Sequence, residues 1–152
     1  MRVVLDSNVL VRATGHSSGP ARAVFLRLLE PPHSLIASKH LLDELRRVLN
    51  YPRVRKVHGL SMERIEQHLA DVAASAETVD LPVTLASIVP HDPDDDPIVA
   101  TAVYGRADVL CTRDRHLHRP KVVEYCQQFE IRILTDTGLL DELRKLDREP
   151  SQ

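Results

Sequence analysis

The chain has 152 residues, 43% of them hydrophobic and 28% charged, a balance that fits one globular domain with a sizeable core and excludes a disordered chain. Its 20 basic and 22 acidic residues leave a net charge of −2, so no bulk basicity marks it as a polyanion binder. No apolar run approaches the roughly 18 residues of a membrane span, and Met1 and Arg2 lead within four residues to Asp6, too short a run for a secretion signal, so the expected location is the cytoplasm, away from membranes.

In chain order, RVVLD (2–6) is a continuous apolar run of the kind that forms a central parallel strand. After Pro20, suited to a first helical position, Ala21, Val24, Phe25, Leu28 and Leu29 recur with helical spacing. SLIA (34–37) reads as a second strand, followed by a helix over 39–50. Ser61 is placed to cap a helix with Met62, Ile65, Leu69, Val72 and Ala73 on its apolar face. ETVDL (77–81) is a weaker strand. Then come the aspartates of DPDDDPIVATA (92–102), a helix to about 104, the strand DVLCT (108–112), a helix from Pro120, the strand IRIL (131–134) and a final helix ending near Leu146.

Alternating strands and helices with right-handed crossovers build a mostly parallel sheet between helical layers. The expected fold is therefore a three-layer α/β/α domain over 1–147, with four to five strands and a short tail at 148–152. Cys111 and Cys126 have no metal-ligand spacing and read as core thiols.

Ligands of parallel sheets bind beyond the carboxyl ends of the strands, which directs attention to the acids found there. Asp6 ends the first strand, Glu44 sits in the helix after the second, Asp96 opens the helix after the aspartate run, and Asp114 follows the fourth strand. At about 100° per residue, the apolar arc formed by Leu41, Leu42, Leu45, Val48 and Leu49 has Glu44 on its border and leaves Asp43 facing solvent. Each acid alone has an ordinary explanation, such as a cap, a turn or a surface ion pair. Four carboxylates meeting at one edge would raise one another's pKa unless a cation neutralised them, and an all-oxygen set favours Mg²⁺ or Mn²⁺. Within the run, Pro97 at a first helical position makes Asp96 the expected cap. Asp95 and Asp94 are further metal candidates, and Asp92 a turn former before Pro93.

Four segments then carry a resemblance: VVLDSNVLV (3–11), the Glu-Leu of LLDELRRVL (41–49), DPDDDPIVATA (92–102) and ADVLCTRDRHL (107–117). In this order they resemble the PIN-domain ribonucleases, in particular the small toxins of toxin–antitoxin pairs. The resemblance implies an acidic quartet of Asp6, Glu44, Asp96 and Asp114, supported by Asn8 and Thr112, holding one or two Mg²⁺ or Mn²⁺ ions. It implies hydrolysis of single-stranded or looped RNA to 5′-phosphate and 3′-hydroxyl ends, a homodimer, and a cognate antitoxin. Where relatives often carry a further acid, this chain has His116. Two basic segments follow the site acids directly, so Arg46, Arg47, Arg53, Arg55 and Lys56, with Arg113 and Arg115, are candidates for holding RNA phosphates. Two other readings compete: an inactive PIN-like interaction module, and a phosphohydrolase with Asp6 as nucleophile, for which the sequence has D-x-N in place of the expected D-x-D.

Overall fold

The computed structural model describes residues 1–14, 18–85 and 93–149, with Asp94 described by its backbone. Five strands form one sheet: β1 (Arg2–Leu5), β2 (Ser34–Ser38), β3 (Ala76–Val79), β4 (Val109–Cys111) and β5 (Arg132–Leu134). Their spatial order is β3-β2-β1-β4-β5, and every pair is parallel. Val3, Val4 and Leu5 of β1 and all of β4 are fully buried, which explains why both read as unbroken apolar runs: helices cover both faces of the sheet.

The helices among the described residues are α1 (Ser7–Arg12), α2 (Pro20–Leu28), α3 (Lys39–Leu49), α4 (Pro52–His58), α5 (Met62–Ser75), α6 (Asp96–Tyr104), α7 (Pro120–Gln127) and α8 (Asp136–Arg148). The chain builds outward from β1 to β3, then returns to add β4 and β5 on the other side. With right-handed crossovers, that reversal places the connecting helices on opposite faces and produces the three-layer α/β/α architecture. It also creates a switch point between β1 and β4, and the crevice beyond their carboxyl ends is where such folds bind ligands.

Two of these helices carry no apolar periodicity that the sequence displays. α1 begins immediately after β1, with Asp6 as its cap, leaving too few residues for a periodic pattern to show. α4 has no buried residue, so it carries no apolar stripe. Its signature is Pro52 at the start and Gly59 at the end, the latter in left-handed conformation with φ of 63°. On α5 the buried face is Ile65, His68, Leu69 and Val72, whereas Met62 and Ala73 are exposed. The ring of His68 fills the place of an apolar side chain by packing edge-on against Phe25 and bonding the Leu10 carbonyl at 3.0 Å.

α6 runs antiparallel to the strands. At its C-terminal end the Gly105 carbonyl accepts bonds from the Arg2 guanidinium at the start of β1 (2.7 and 3.2 Å), so its N-terminal end lies at the carboxyl edge of the sheet. Gly105 permits this docking. A Cβ there would lie 2.4 Å from Ile36 of β2 and 2.7 Å from the Thr101 carbonyl.

Candidate metal centre

Asp6 occupies the switch point, with 5% of its surface exposed. One carboxylate oxygen accepts the Ser7 backbone N–H at 2.7 Å, and the other accepts the Thr112 hydroxyl at 2.7 Å. Thr112 in turn accepts the Asp114 backbone N–H at 3.0 Å, so a single hydroxyl joins the ends of β1 and β4. Burial raises the Asp6 pKa above its ordinary value, and the Asp114 charge raises it further, while the bonds from Thr112 and Ser7 oppose both.

Glu44 reaches the same place from α3. It is half-buried whereas its neighbour Asp43 is exposed, as the helical angle requires. Its pKa is raised, first by burial and then by the Asp6 charge, against the weaker opposing influence of His40, Arg47 and a hydrogen bond from Ser7. Ser7 therefore serves two carboxylates with different groups, its backbone N–H bonding Asp6 at 2.7 Å and its single hydroxyl proton turned to Glu44, a role its place in the sequence did not suggest.

Asp96 is 7% exposed at the start of α6. It is the first helical residue; the cap position belongs to Asp95. The expectation of an Asp96 cap is corrected because a 3-10 turn over Pro93–Asp95 runs directly into α6, and Asp95 already has helical dihedrals (φ −87°, ψ −9°). The two helices carrying Glu44 and Asp96 are locked together at this edge. Thr101 donates its only hydroxyl proton to the Pro97 carbonyl at 2.7 Å, so Ser38 donates to Thr101 at 2.8 Å while its oxygen accepts the Leu41 N–H at 3.3 Å.

Asp114 caps a second 3-10 turn, Arg115–His118, accepting the His116 N–H at 2.9 Å. Ligand atoms of Asp95, Asp114 and His116 lie within 4.8 Å of one another. Asn8 is exposed on α1, and Asp92 lies outside the described residues.

The basic candidates divide. Arg46 is paired with Glu66 of α5, and Arg113 with Asp136. Arg47, Arg53, Arg55, Lys56 and Arg115 are exposed. An open cleft of ≈ 370 Å³ is lined by Arg113, Arg115, His118 and Thr135, the first two flanking Asp114 in the chain. A more apolar cleft of ≈ 470 Å³, between the end of α1 and α4, contains none of the acids.

Asp136, two residues past β5 and the first residue of α8 after the Thr135 cap, is a further acid at this edge that the sequence analysis does not single out. It is 1% exposed and pairs with Arg113 at 2.6 Å and Arg12 at 3.2 Å. Position after a strand was the available signal; its partners, 23 and 124 residues away, were not.

The donor set around Asp6 fits a hard divalent cation. Asp6 faces the charge of Asp114 and Glu44 that of Asp6, Asp6 is supported by an N–H and a hydroxyl rather than by arginine, and the set contains no thiolate. Both cysteines are free and buried in the core.

A PIN domain family model matches residues 2–116, spanning β1 to His116 and therefore every carboxylate of this edge except Asp136. The chain belongs to the PIN domain family. It is similar to the crystal structure of FitAcB from Neisseria gonorrhoeae, with 21% identity and a TM-score of 0.52, covering 89% of this chain and 98% of that one. No curated protein matches the chain. No described helix is long and apolar enough to cross a membrane.

Proposed function

We propose that this PIN-domain protein is a metal-dependent endoribonuclease that hydrolyses phosphodiester bonds of single-stranded or looped RNA, using Mg²⁺ or Mn²⁺, and acts as the toxin of a toxin–antitoxin pair. The observation that carries the reading is Asp6, buried at the switch point, held by hydroxyl and N–H donors and electrostatically coupled to Glu44 and Asp114.

Asp6, Glu44, Asp96 and Asp114 would hold the ion, with Asp95 and Asp94 adding to its attraction. A divalent ion held there supplies charge neutralisation and Lewis-acid assistance to attack of water on phosphorus. Thr112 and Ser7 aim the Asp6 carboxylate. The Ser38–Thr101–Pro97 chain keeps α3 and α6 in register, so Glu44 and Asp96 approach from fixed directions. Arg115 in the adjoining cleft, with Arg47, Arg53, Arg55 and Lys56, holds backbone phosphates; Arg46 and Arg113 do so only by leaving Glu66 and Asp136. No side-chain nucleophile is needed.

The test is incubation of the pure protein with end-labelled RNA and Mn²⁺, with and without EDTA. Internal cleavage to 5′-phosphate and 3′-hydroxyl ends, abolished by EDTA and by Asp6→Asn, is expected. RNA left intact under all metals overturns the nuclease, and trapping of a phosphoenzyme at Asp6 would establish the nucleophile reading instead. The toxin role is tested separately: a growth arrest on expression, relieved by a co-expressed neighbouring open reading frame, supports it, and innocuous expression of an RNA-cleaving protein removes it. Homodimerisation, implied by the family resemblance, is checked by light scattering at micromolar concentration.

A further inference from the structure

His116 adds a different chemistry to this acidic edge. Its ligand atom lies within 4.8 Å of those of Asp95 and Asp114, and each member of the trio comes from a short, backbone-constrained turn. Asp95 ends the 3-10 turn before α6, while Asp114 and His116 open the turn after β4. The His116 N–H bonds to Asp114 at 2.9 Å, and the far end of that turn is held by the His118 ring against the Thr112 carbonyl at 2.7 Å. Thus the backbone of two short turns brings the three residues to one place, and their side chains complete the approach.

Ligands about 2.0–2.2 Å from one ion lie at most about 4.4 Å apart, when they face each other across it. The observed limit of 4.8 Å exceeds that by a few tenths of an ångström, within reach of a small side-chain adjustment. A two-carboxylate, one-imidazole set also discriminates among metals. Mg²⁺ keeps oxygen ligands and water, whereas Mn²⁺, Co²⁺ and Zn²⁺ accept imidazole, with affinity rising along the first row.

We propose that Asp95, Asp114 and His116 form a mixed oxygen–nitrogen site that makes this protein select a first-row transition-metal ion over Mg²⁺. The inference rests on the metal-dependent reading above and deepens it by naming the class of ion. Because Asp114 is electrostatically coupled to Asp6, an ion at this trio also lowers the negative charge that Asp6 and Glu44 face.

The experiment uses the full-length, metal-stripped protein with Mn²⁺ and Mg²⁺ as probes. Mn²⁺ binding is followed by electron paramagnetic resonance, Mg²⁺ by competition, and direct nitrogen ligation by pulsed detection of ¹⁴N coupling to the bound Mn²⁺. Wild type is expected to show imidazole coupling. In His116→Asp that coupling disappears and the preference for Mn²⁺ over Mg²⁺ falls by about tenfold or more, while His33→Gln, just before β2 at the opposite edge of the sheet, retains both. If His116→Asp does not fold, His116→Gln gives the same readout. Retention of the coupling in the His116 variant, or an unchanged Mn²⁺-to-Mg²⁺ ratio, overturns the proposal. Mn²⁺ binding without nitrogen coupling, weakened by Asp6→Asn, removes the His116 site but keeps the nuclease reading; absence of any Mn²⁺ binding to folded wild type removes both.

Discussion

Asp6 and Asp136 lie at the same edge of the sheet, each at the start of a helix, and have opposite surroundings. Each follows a strand at the carboxyl edge, each is buried, and each accepts the backbone N–H of the next residue, at 2.7 Å from Ser7 and 3.0 Å from Thr137. Asp136 meets two guanidiniums, Arg12 and Arg113. Asp6 meets a threonine hydroxyl and the charges of two more acids. Cys111, at the end of β4, feels both carboxylates, and burial with their charges pushes its thiol up to about 12. A buried carboxylate that already has its cations contributes to the fold. One surrounded by other carboxylates is neutralised only by something bound from solution.

The largest break in this comparison is Asp6→Asn. It should lower RNA cleavage by about a hundredfold or more, as expected for a direct ligand when outer-shell partners alone cost 10–100-fold. It should also raise the melting temperature of the metal-free protein, by about 2–4 °C for each 1 kcal/mol of repulsion and burial cost relieved. The gain depends on pH. Because the folded-state pKa of Asp6 is raised above its ordinary value of 3.8, its favourable contribution is complete below 3.8 and is lost as pH rises through the raised value. The difference in melting temperature between variant and wild type should therefore be largest near neutrality and shrink as pH falls towards 3.8. A constant difference across that range would show that burial and repulsion are not its source.

Glu44→Gln comes next, with activity falling by about 10–100-fold and Mn²⁺ binding weakened in a calorimetric titration. Asp136→Asn should give the reverse profile, with Mn²⁺ affinity preserved and stability reduced. Removing one partner of a buried pair costs about 3–5 kcal/mol. Here the arginines are 40% and 48% exposed and water takes over part of their solvation, so about 1–2 kcal/mol is expected in urea denaturation. If Asp136→Asn instead abolished metal binding, the division between the two acids would be wrong. The smallest effect belongs to Asp43→Asn: activity near normal and stability within about 0.5 kcal/mol, as for ordinary surface positions. It separates the two faces of α3 one residue apart.

How far the sequence was legible follows from what kind of information each feature needs. The buried strands and the phase of α3 depend on local periodicity, and the structure has β1, β2, β4 and β5 within a residue or two of the expected positions, with Glu44 half-buried and Asp43 exposed. β3 was placed one to two residues late, since AETV carries almost no apolar pattern. α1 and α4 lacked a stripe to read, one for shortness and the other for burying nothing. At the site, position after strands selected Asp6, Glu44, Asp96 and Asp114. It did not show that Ser7 serves two carboxylates or that Asp136 collects arginines from distant parts of the chain, because those are relations in space. The displacement of the cap from Asp96 to Asp95 is a matter of backbone dihedrals in the preceding turn, which four consecutive polar or proline residues leave open.

The Thr112 hydroxyl has a direction that can be deduced without seeing hydrogen atoms. The Asp114 N–H can only donate, so it takes one of the oxygen's acceptor positions, and the single hydroxyl proton points to Asp6. The other Asp6 oxygen already receives an N–H. Asp6 is thus wired as a receiver on both sides, and a proton arriving on the oxygen that faces Thr112 would have to turn the hydroxyl round and leave it searching for a new acceptor. Serine at this position would keep the polarity, whereas valine would preserve the shape and erase it. The last residue before Arg113 therefore favours the charged form of the first acid in the chain, against the pull of burial, through one oriented bond across 106 residues of sequence.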